Sequence, residues 1–197
     1  MTGEKELDSP QPAGRRPAPK DLALLQAFLN THHDLAGQRE VLRDPHALAA
    51  WLTARSLVQG GVRLDRADLD RALAVREGLR ALAFANNHEA LDVDAVDAMR
   101  RASEGAATEI RIEPGGPRFL PPPGRALDGA LGVLLAIAAS SMLDGTWRRL
   151  KACPAGTCRW VFYDYSRNQT ARWCSMKVCG DREKARAYYQ RRLERQE

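Results

Sequence analysis

Aromatic residues make up only 6% of this 197-residue chain, whereas 44% of its residues are hydrophobic. Leucine and alanine must therefore fill most of the core. A sequence rich in these residues and poor in β-branched ones favours helix over strand. The length fits one medium domain with a small appended module. We therefore predict a mainly α fold.

The sequence also lacks a secretory signal and a membrane-spanning run. Residues 1–20 contain four prolines and mixed charges but no apolar stretch. The longest apolar stretch, 130–143, is shorter than the roughly 20 residues that cross a bilayer. We therefore predict a buried helix there, and a cytoplasmic protein that does not contact membranes. Thiols stay reduced in that compartment, where clustered cysteines are more often metal ligands than disulfides.

Local signals divide the chain into three parts: a disordered tail over 1–19, a helical domain over 20–146 and a metal module over 147–197. Asp44 and Asp65 are predicted N-caps, each placed immediately before an apolar-periodic run. The predicted helices are 21–30, a helix from Pro45, 66–84, 93–101 and 126–143. A hairpin is predicted from 108–112 and 118–120, and a basic helix from Asp181 ends the chain.

Four cysteines are the only ones in the chain, and they follow the spacing C-x4-C-x15-C-x4-C: Cys153, Cys158, Cys174 and Cys179. Two pairs of closely spaced thiolates provide the tetrahedral sulfur ligands that Zn²⁺ prefers. Two disulfides would need an oxidising compartment, and a redox dithiol would show C-x-x-C beside a βαβ pattern. An iron–sulfur cluster also takes four thiolates. We favour zinc, with Trp160 and Phe162 packing on the metal knuckles.

Positive charge is concentrated in the same module. Residues 147–197 carry 13 Lys or Arg against 5 Asp or Glu, while the rest of the chain has a small excess of acid. A metal core does not need these cations, whereas phosphate groups and base edges are bound by Arg and Asn. The candidate nucleic-acid residues are Arg159, Arg167, Asn168, Arg172, Arg182, Lys184, Arg186 and Arg191. A solvated basic face explains the charge equally well.

Common catalytic motifs are absent: there is no G-x-S-x-G, H-E-x-x-H or P-loop. His32 and His33 are open to two interpretations. They are a ligand or catalytic pair, or they form a surface helix terminus where protonated imidazoles suit the helix dipole. The candidate small-molecule site comprises Asn30, His32, His33 and Arg39. With every cysteine assigned to the metal, none remains as a nucleophile, and we do not expect an enzyme.

The run CRWVFYDYSRNQTARWCSMKVCGDR with KARAYYQRR, within 150–192, resembles a CGNR-type zinc finger. One position departs from the name-giving motif, because Asp181 stands where the family has Asn. Asp caps a helix as well as Asn does but cannot donate a hydrogen bond. The resemblance implies a small treble-clef-like zinc finger that ends in a basic helix.

The segments LNT (29–31), DPHALAAWL (44–52) and VREGLRAL (75–82) resemble the ABATE domain. This resemblance implies a helical domain in a bacterial, stress-responsive transcription regulator. The expected partners are DNA, a second copy of the chain and a small-molecule effector. Two alternatives stay open: a protein–protein adaptor with a purely structural zinc site, and a small-molecule-binding helical domain. We also expect the module to have a core separate from that of the helical domain.

Overall fold

The computed structural model describes residues 11–35 and 39–194. Six helices and three short antiparallel hairpins make up this part of the chain, so the fold is mainly α, as predicted. The helices are α1 (Leu22–Leu29), α2 (Pro45–Thr53), α3 (Arg66–Ala85), α4 (Val93–Ala102), α5 (Ala126–Leu143) and α6 (Asp181–Glu194). The strands are β1 (His32–His33), β2 (Arg39–Glu40), β3 (Glu109–Glu113), β4 (Gly116–Leu120), β5 (Leu150–Ala152) and β6 (Val161–Tyr163).

Both predicted N-caps are present. The Asp44 carboxylate accepts a hydrogen bond from the Ala47 N–H at 2.7 Å, with Pro45 in the first turn of α2. Asp65 caps α3 in the same way, and Asp68 reaches back to the Asp65 N–H to complete a capping box. These local hydrogen bonds are encoded within four residues of sequence, which is why they could be predicted.

Helix α5 is the central helix of the fold. Leu127, Leu131 and Leu134 are at most 2% exposed and pack with residues of α1, α2 and α3 in the main hydrophobic core. Within 11–35 and 39–194, α5 alone is long and apolar enough to cross a membrane, and this packing identifies it as a core helix. The prediction of a buried helix is confirmed.

Two glycines of α5 let both ends of the β3–β4 hairpin approach it closely. A Cβ on Gly132 would lie 1.9 Å from the Ala107 carbonyl oxygen, and one on Gly129 would lie 3.0 Å from the Pro121 side chain. The Ala107 N–H also donates to the Asp128 carbonyl at 3.1 Å. The hairpin is therefore fixed against α5 at both of its ends.

Strands β5 and β6 of the metal module lie in the core of the helical domain, so the prediction of separate cores is wrong for them, whereas the cysteines with Trp160 and Phe162 form a cluster of their own. Leu150, Ala152, Val161 and Tyr163, from β5 and β6, belong to the same buried cluster as the residues of α1, α3 and α5. Short strands that carry large apolar residues on a small module cannot bury them alone. They are covered here by the helical domain.

The predicted disordered tail is partly ordered. Residues 12–14 form a 3₁₀ turn, and Ala18 is buried, with its N–H donating to the Gln26 side chain at 2.7 Å. The Arg15 guanidinium lies 4.7 Å from the centre of the Phe162 ring and donates to the Trp173 carbonyl. The prediction is therefore wrong for 11–19, because these contacts hold the segment on the module. Residues 1–10 lie outside the described residues.

Candidate metal centre and its seam with the helical domain

The four cysteines converge on one buried point. Each of them is 0% exposed, and their sulfur atoms all lie within 4.8 Å of one another. Cys158 Sγ is 3.4 Å from Cys174 Sγ, which is 3.6 Å from Cys179 Sγ. A tetrahedral Zn²⁺ with Zn–S bonds of about 2.3 Å requires sulfur–sulfur separations just under about 4 Å. The donor set and its spacing therefore fit a four-thiolate metal site.

The electrostatics of the cluster also call for a cation. Burial raises the pKa of the Cys179 thiol, and negative charge at Cys153 raises this pKa further. Four thiolates packed this closely cannot all be charged unless a cation compensates them, and a bound metal ion lowers thiol pKa values for that reason. The residues that would hold the ion are the predicted ones.

The two cysteine pairs lie on different local structures, as a treble-clef-like finger requires. The first pair, Cys153 and Cys158, forms the knuckle that connects β5 to β6. The second pair leads into helix: Ser175 accepts a hydrogen bond from the Val178 N–H, and a helical turn over Met176–Gly180 continues directly into α6. Cys179 therefore lies in the first turn of a helical segment, where the partial positive charge favours a thiolate.

The same geometry corrects the role expected of Asp181. Ser175 is the N-cap, and Asp181 lies one turn further along, with 61% of its side chain exposed and Lys184 Nζ 3.9 Å away. The Asp that replaces the family's Asn therefore does not act as an N-cap. The substitution changes only what α6 presents to solvent.

The two aromatic residues next to the first knuckle behave as predicted. Trp160 and Phe162 are 1% and 0% exposed and pack in a cluster with the four cysteines. Trp160 also contacts the His33 ring, with 4.8 Å between ring centres. These aromatics support the metal knuckles and are not available to a ligand.

Buried side-chain amides of the helical domain join it to strands β5 and β6. Asn30 donates to the Val161 carbonyl and accepts from the Val161 N–H, both at 2.8 Å, as a neighbouring strand would. Asn87 donates to the carbonyls of Ala152 at 2.8 Å and Arg172 at 2.7 Å. The amides satisfy backbone groups of the module that would otherwise be buried without partners.

A network of buried charges completes this seam. Arg76 and Arg80 of α3 are 3% and 1% exposed, and both donate to Glu77. Arg159 of the module donates to the same carboxylate at 2.7 Å, and its carbonyl accepts from Arg80 at 2.7 Å. Burial alone would raise the pKa of Glu77, but the guanidiniums of Arg80, Arg76 and Arg159 outweigh it and hold this pKa at about 2.

The four residues of the candidate small-molecule site belong to the seam with the finger and to the β1–β2 hairpin. Asn30 is bonded to Val161, and His32 and His33 form strand β1, which pairs with Arg39 and Glu40 of β2. Burial lowers the pKa of both histidines, aided by Arg76 beside His32 and Arg39 beside His33. Because both histidines lie in β1 and His33 is buried, the interpretation of a surface helix terminus is wrong.

Two grooves of the described chain lie elsewhere. One, of about 700 Å³, is bounded by residues 56–62 and 121–124. The other, of about 650 Å³, lies between strand β4 and helix α5. None of Asn30, His32, His33 and Arg39 lines either groove.

The eight candidate nucleic-acid residues fall into two groups. Arg159 and Arg172 are tied to the helical domain, by Glu77 at 2.7 Å and by Glu89 at 2.9 Å. The other six lie on surface that the helical domain does not cover: Arg167, Asn168, Arg182, Lys184, Arg186 and Arg191.

A buried ion pair builds the loop that carries Arg167 and Asn168. Lys151 Nζ lies 3.0 Å from the Asp164 carboxylate, and the two side chains are 3% and 1% exposed. Lys151 also donates to the carbonyls of Gln169 and Ala171, while Asp164 accepts from the N–H groups of Ser166 and Ala171. The side chains at the loop tip, Arg167 and Asn168, make no hydrogen bond or ion pair to any described residue.

The terminal helix is exposed along its length. No residue from 181 to 193 is buried, and Tyr188, Tyr189 and Leu193 are 57–65% exposed. Three of its basic residues have partners within the finger: Arg182 donates to Thr157 of the first knuckle, Arg186 donates to Glu183, and Lys184 Nζ lies 3.9 Å from Asp181. Arg191 has no partner within the described chain.

The residues that sequence reasoning missed are those that connect the two parts: Glu77, Arg80, Asn87, Lys151 and Asp164. One signal was available for the first two. The segment Arg76-Glu77-Gly78-Leu79-Arg80 places charges inside the apolar stripe of α3, where a solvated face has no reason to be. Lys151 and Asp164 carried no such signal, because Lys151 lies in the middle of a three-residue strand and Asp164 directly follows another, and such short segments show no periodic pattern.

Comparison with known families gives two matches, in chain order. Residues 12–145 match the ABATE family, described as "Putative stress-induced transcription regulator". Residues 149–192 match the CGNR zinc finger. No curated protein matches the chain. Neither family is one of enzymes by its description. Because the first match covers more than half of the sequence, the chain belongs to the ABATE family, and it carries a CGNR zinc finger after that domain.

Proposed function

We propose that the protein is a cytoplasmic, zinc-containing transcription regulator of bacterial type, which binds DNA through its zinc finger. Zinc is the metal that four buried thiolates with near-tetrahedral spacing suit best. Its role is structural, because all four coordination positions are taken by protein ligands. The family membership supports regulation, and the concentration of positive charge in the finger supports nucleic-acid contact there.

The observation that carries this proposal is the Lys151–Asp164 pair beneath the loop at 164–171. Burying an ion pair costs desolvation energy, so such a pair is poor evidence for stability alone. Here it holds a short polar loop in one conformation and leaves Arg167 and Asn168 directed to solvent without internal partners. Arg and Asn are the side chains that make bidentate contacts with guanine and adenine edges and with phosphates.

The terminal helix supplies the second contact surface. Arg182 and Arg186 are four residues apart and share one face of the helix. Lys184 and Arg191 lie on the opposite face. An exposed helix with basic residues on two sides fits the major groove, which admits one α-helix. Arg159 and Arg172 are not assigned to DNA, because Glu77 and Glu89 hold them at the seam.

The role of the helical domain in this proposal is to sense an effector or to associate with a second copy. Its two grooves, of about 700 and 650 Å³, have the volume of small-molecule sites. A small-molecule effector therefore has candidate locations other than the four residues proposed from sequence.

The test is binding of a labelled DNA duplex by Arg167→Ala and Arg191→Ala proteins, measured by fluorescence anisotropy at several salt concentrations. Each lost phosphate contact should reduce the magnitude of the log–log salt slope by about 0.9. Arg43→Ala is the matched control, because it removes one charge from an exposed site, 80% accessible, on the helical domain. Equal behaviour of all three variants would remove the finger from the DNA interface.

The adaptor alternative is favoured by one observation: the metal site and its seam are complete without nucleic acid. It predicts that the Arg167 and Arg191 variants bind DNA no differently from wild type. Binding that is too weak to measure in wild type would leave the adaptor as the better account.

A further inference from the structure

Helix α5 is apolar on all sides, yet one strip of it is uncovered. Its only charged residue is Asp128. Such a helix is normally buried all round. Near its C-terminal end, however, Met142 and Leu143 are 44% and 89% exposed. No described residue packs over Leu143.

The β3–β4 hairpin has a second uncovered apolar surface. Residues directly opposite in an antiparallel ladder point to the same face. The pairs Ile110–Phe119 and Ile112–Pro117 therefore form one face that contains no charge. Ile110 and Ile112 are 58% and 83% exposed. The other face carries Arg111 paired with Glu109.

These two surfaces border one groove. Pro117 and Phe119, which face the same way as the two isoleucines, line the 650 Å³ groove between β4 and α5. Ser140 lines its opposite wall, and Leu143 lies three residues further along, adjacent on the helix surface. We name the set Ile110, Ile112, Met142 and Leu143 the hairpin–α5 patch.

We propose that the hairpin–α5 patch is the interface between two copies of this chain, related by a two-fold axis. The hairpin projects beside a groove on the same molecule, so each copy can place its isoleucines against the α5 strip and groove of the other. This reciprocal arrangement is what an isologous interface requires. The proposal does not depend on DNA binding.

Charge and size both favour a second copy over other partners. The groove walls carry Lys20 and Arg118 together with Asp21, Glu113 and Asp144, so both signs of charge are present and opposite charges of two copies can face each other across a two-fold axis. The surface has no excess of positive charge for nucleic acid or anionic lipid. Four large side chains at this exposure present several hundred Å² of apolar surface, the size that marks an interface. With the groove walls they approach the ~800 Å² per partner of a stable one.

The hairpin is also rigid enough to be an interface. Its two ends are held against α5 at Gly132 and Gly129. Arg71 of α3 donates to the Asp128 carboxylate at 2.7 Å and to the carbonyl of Ala102, which anchors the segment leading into the hairpin. Little ordering of the backbone therefore remains to oppose association.

The experiment is sedimentation equilibrium of the full-length, zinc-loaded protein at 1–100 μM, with Ile112→Glu and Leu143→Glu variants. Wild type should have twice the 21.8 kDa mass of one chain, and each variant should weaken the dimer at least 100-fold. Both residues are more than 80% exposed, so the monomer should stay folded, which circular dichroism checks. Val93→Glu, on a residue 59% exposed on α4, is the control and should remain dimeric.

A further variant distinguishes the hairpin–α5 patch from the exposed apolar residues of α6. Leu193 on α6 is 65% exposed, and Leu193→Glu should leave the dimer intact. Dissociation by Leu193→Glu but not by Ile112→Glu would overturn the proposal in favour of α6. A wild-type monomer at 100 μM would overturn it outright.

Discussion

The two halves of the zinc finger differ in what surrounds them, although both are rich in arginine. Around the first knuckle, Arg159 is held by Glu77 at the seam with the helical domain. Beyond the second cysteine pair, α6 has no residue buried from 181 to 193. Net charge alone therefore does not identify a nucleic-acid surface. Basic side chains that already form ion pairs within the fold must first be excluded from the count.

The largest effect should come from removing the metal. Because β5 and β6 lie in the common core, Cys174→Ser or a strong chelator should destabilise the helical domain as well as the finger. Structural zinc sites contribute about 10–16 kcal/mol to the folding of isolated fingers. We expect the thermal transition followed by helical circular dichroism to fall by more than 10 °C, and elemental analysis should find one zinc per folded chain. An unchanged transition would mean that the two halves fold independently.

Two glutamate variants distinguish the buried network at the seam from an exposed ion pair. Glu77→Gln leaves the Arg80 guanidinium, which is 1% exposed, without its carboxylate and should cost about 3–5 kcal/mol in the free energy of unfolding. Glu89→Gln breaks only the pair with Arg172, whose side chain is 59% exposed, and should cost less than about 1 kcal/mol. Urea unfolding measures both. Similar costs would contradict the distinction between a buried network and a surface ion pair.

The core helix provides a third change, confined to the helical domain. Leu134 is 0% exposed, and Leu134→Ala should cost about 2–5 kcal/mol in the free energy of unfolding. Because the core extends from α5 to β5 and β6, the same substitution should also weaken the affinity for zinc. This can be measured by competition with a chelator. A loss below about 0.5 kcal/mol would contradict the assignment of α5 to the core.

The smallest effect is expected at the position where this chain departs from its family. Asp181 is 61% exposed and has no capping role, so Asp181→Asn should change stability by less than about 0.5 kcal/mol. It removes one negative charge from α6 and adds a donor, so DNA binding should tighten by less than tenfold. Weaker binding by this variant would argue against α6 as a DNA-contacting helix.

Much of the fold could be predicted because it is encoded locally. The caps at Asp44 and Asp65, the apolar run of α5 and the spacing of the cysteines each lie within short windows of sequence. What could not be predicted depends on pairs distant in the chain. The hydrogen bonds of Asn30 with Val161 and of Glu77 with Arg159 form only when the helical domain packs against the finger.

The predictions for the tail and for the two histidines were wrong for the same physical reason. Pro-rich polar sequence and a pair of histidines are usually solvated, and tertiary contacts override that tendency here. Arg15 stacks on Phe162, and His33 packs against Trp160. Neither partner lies near in the sequence. Local composition therefore predicted solvent exposure, whereas tertiary contacts hold these residues against the finger.

The central claim is that the uncovered part of the finger binds DNA, and the most direct measurement is the salt dependence of wild-type binding to a labelled duplex. We expect measurable binding at ~50 mM salt, with log K falling linearly against log salt at a slope of several units through counterion release. The absence of binding at ~50 mM salt, or a slope near zero, would contradict that claim.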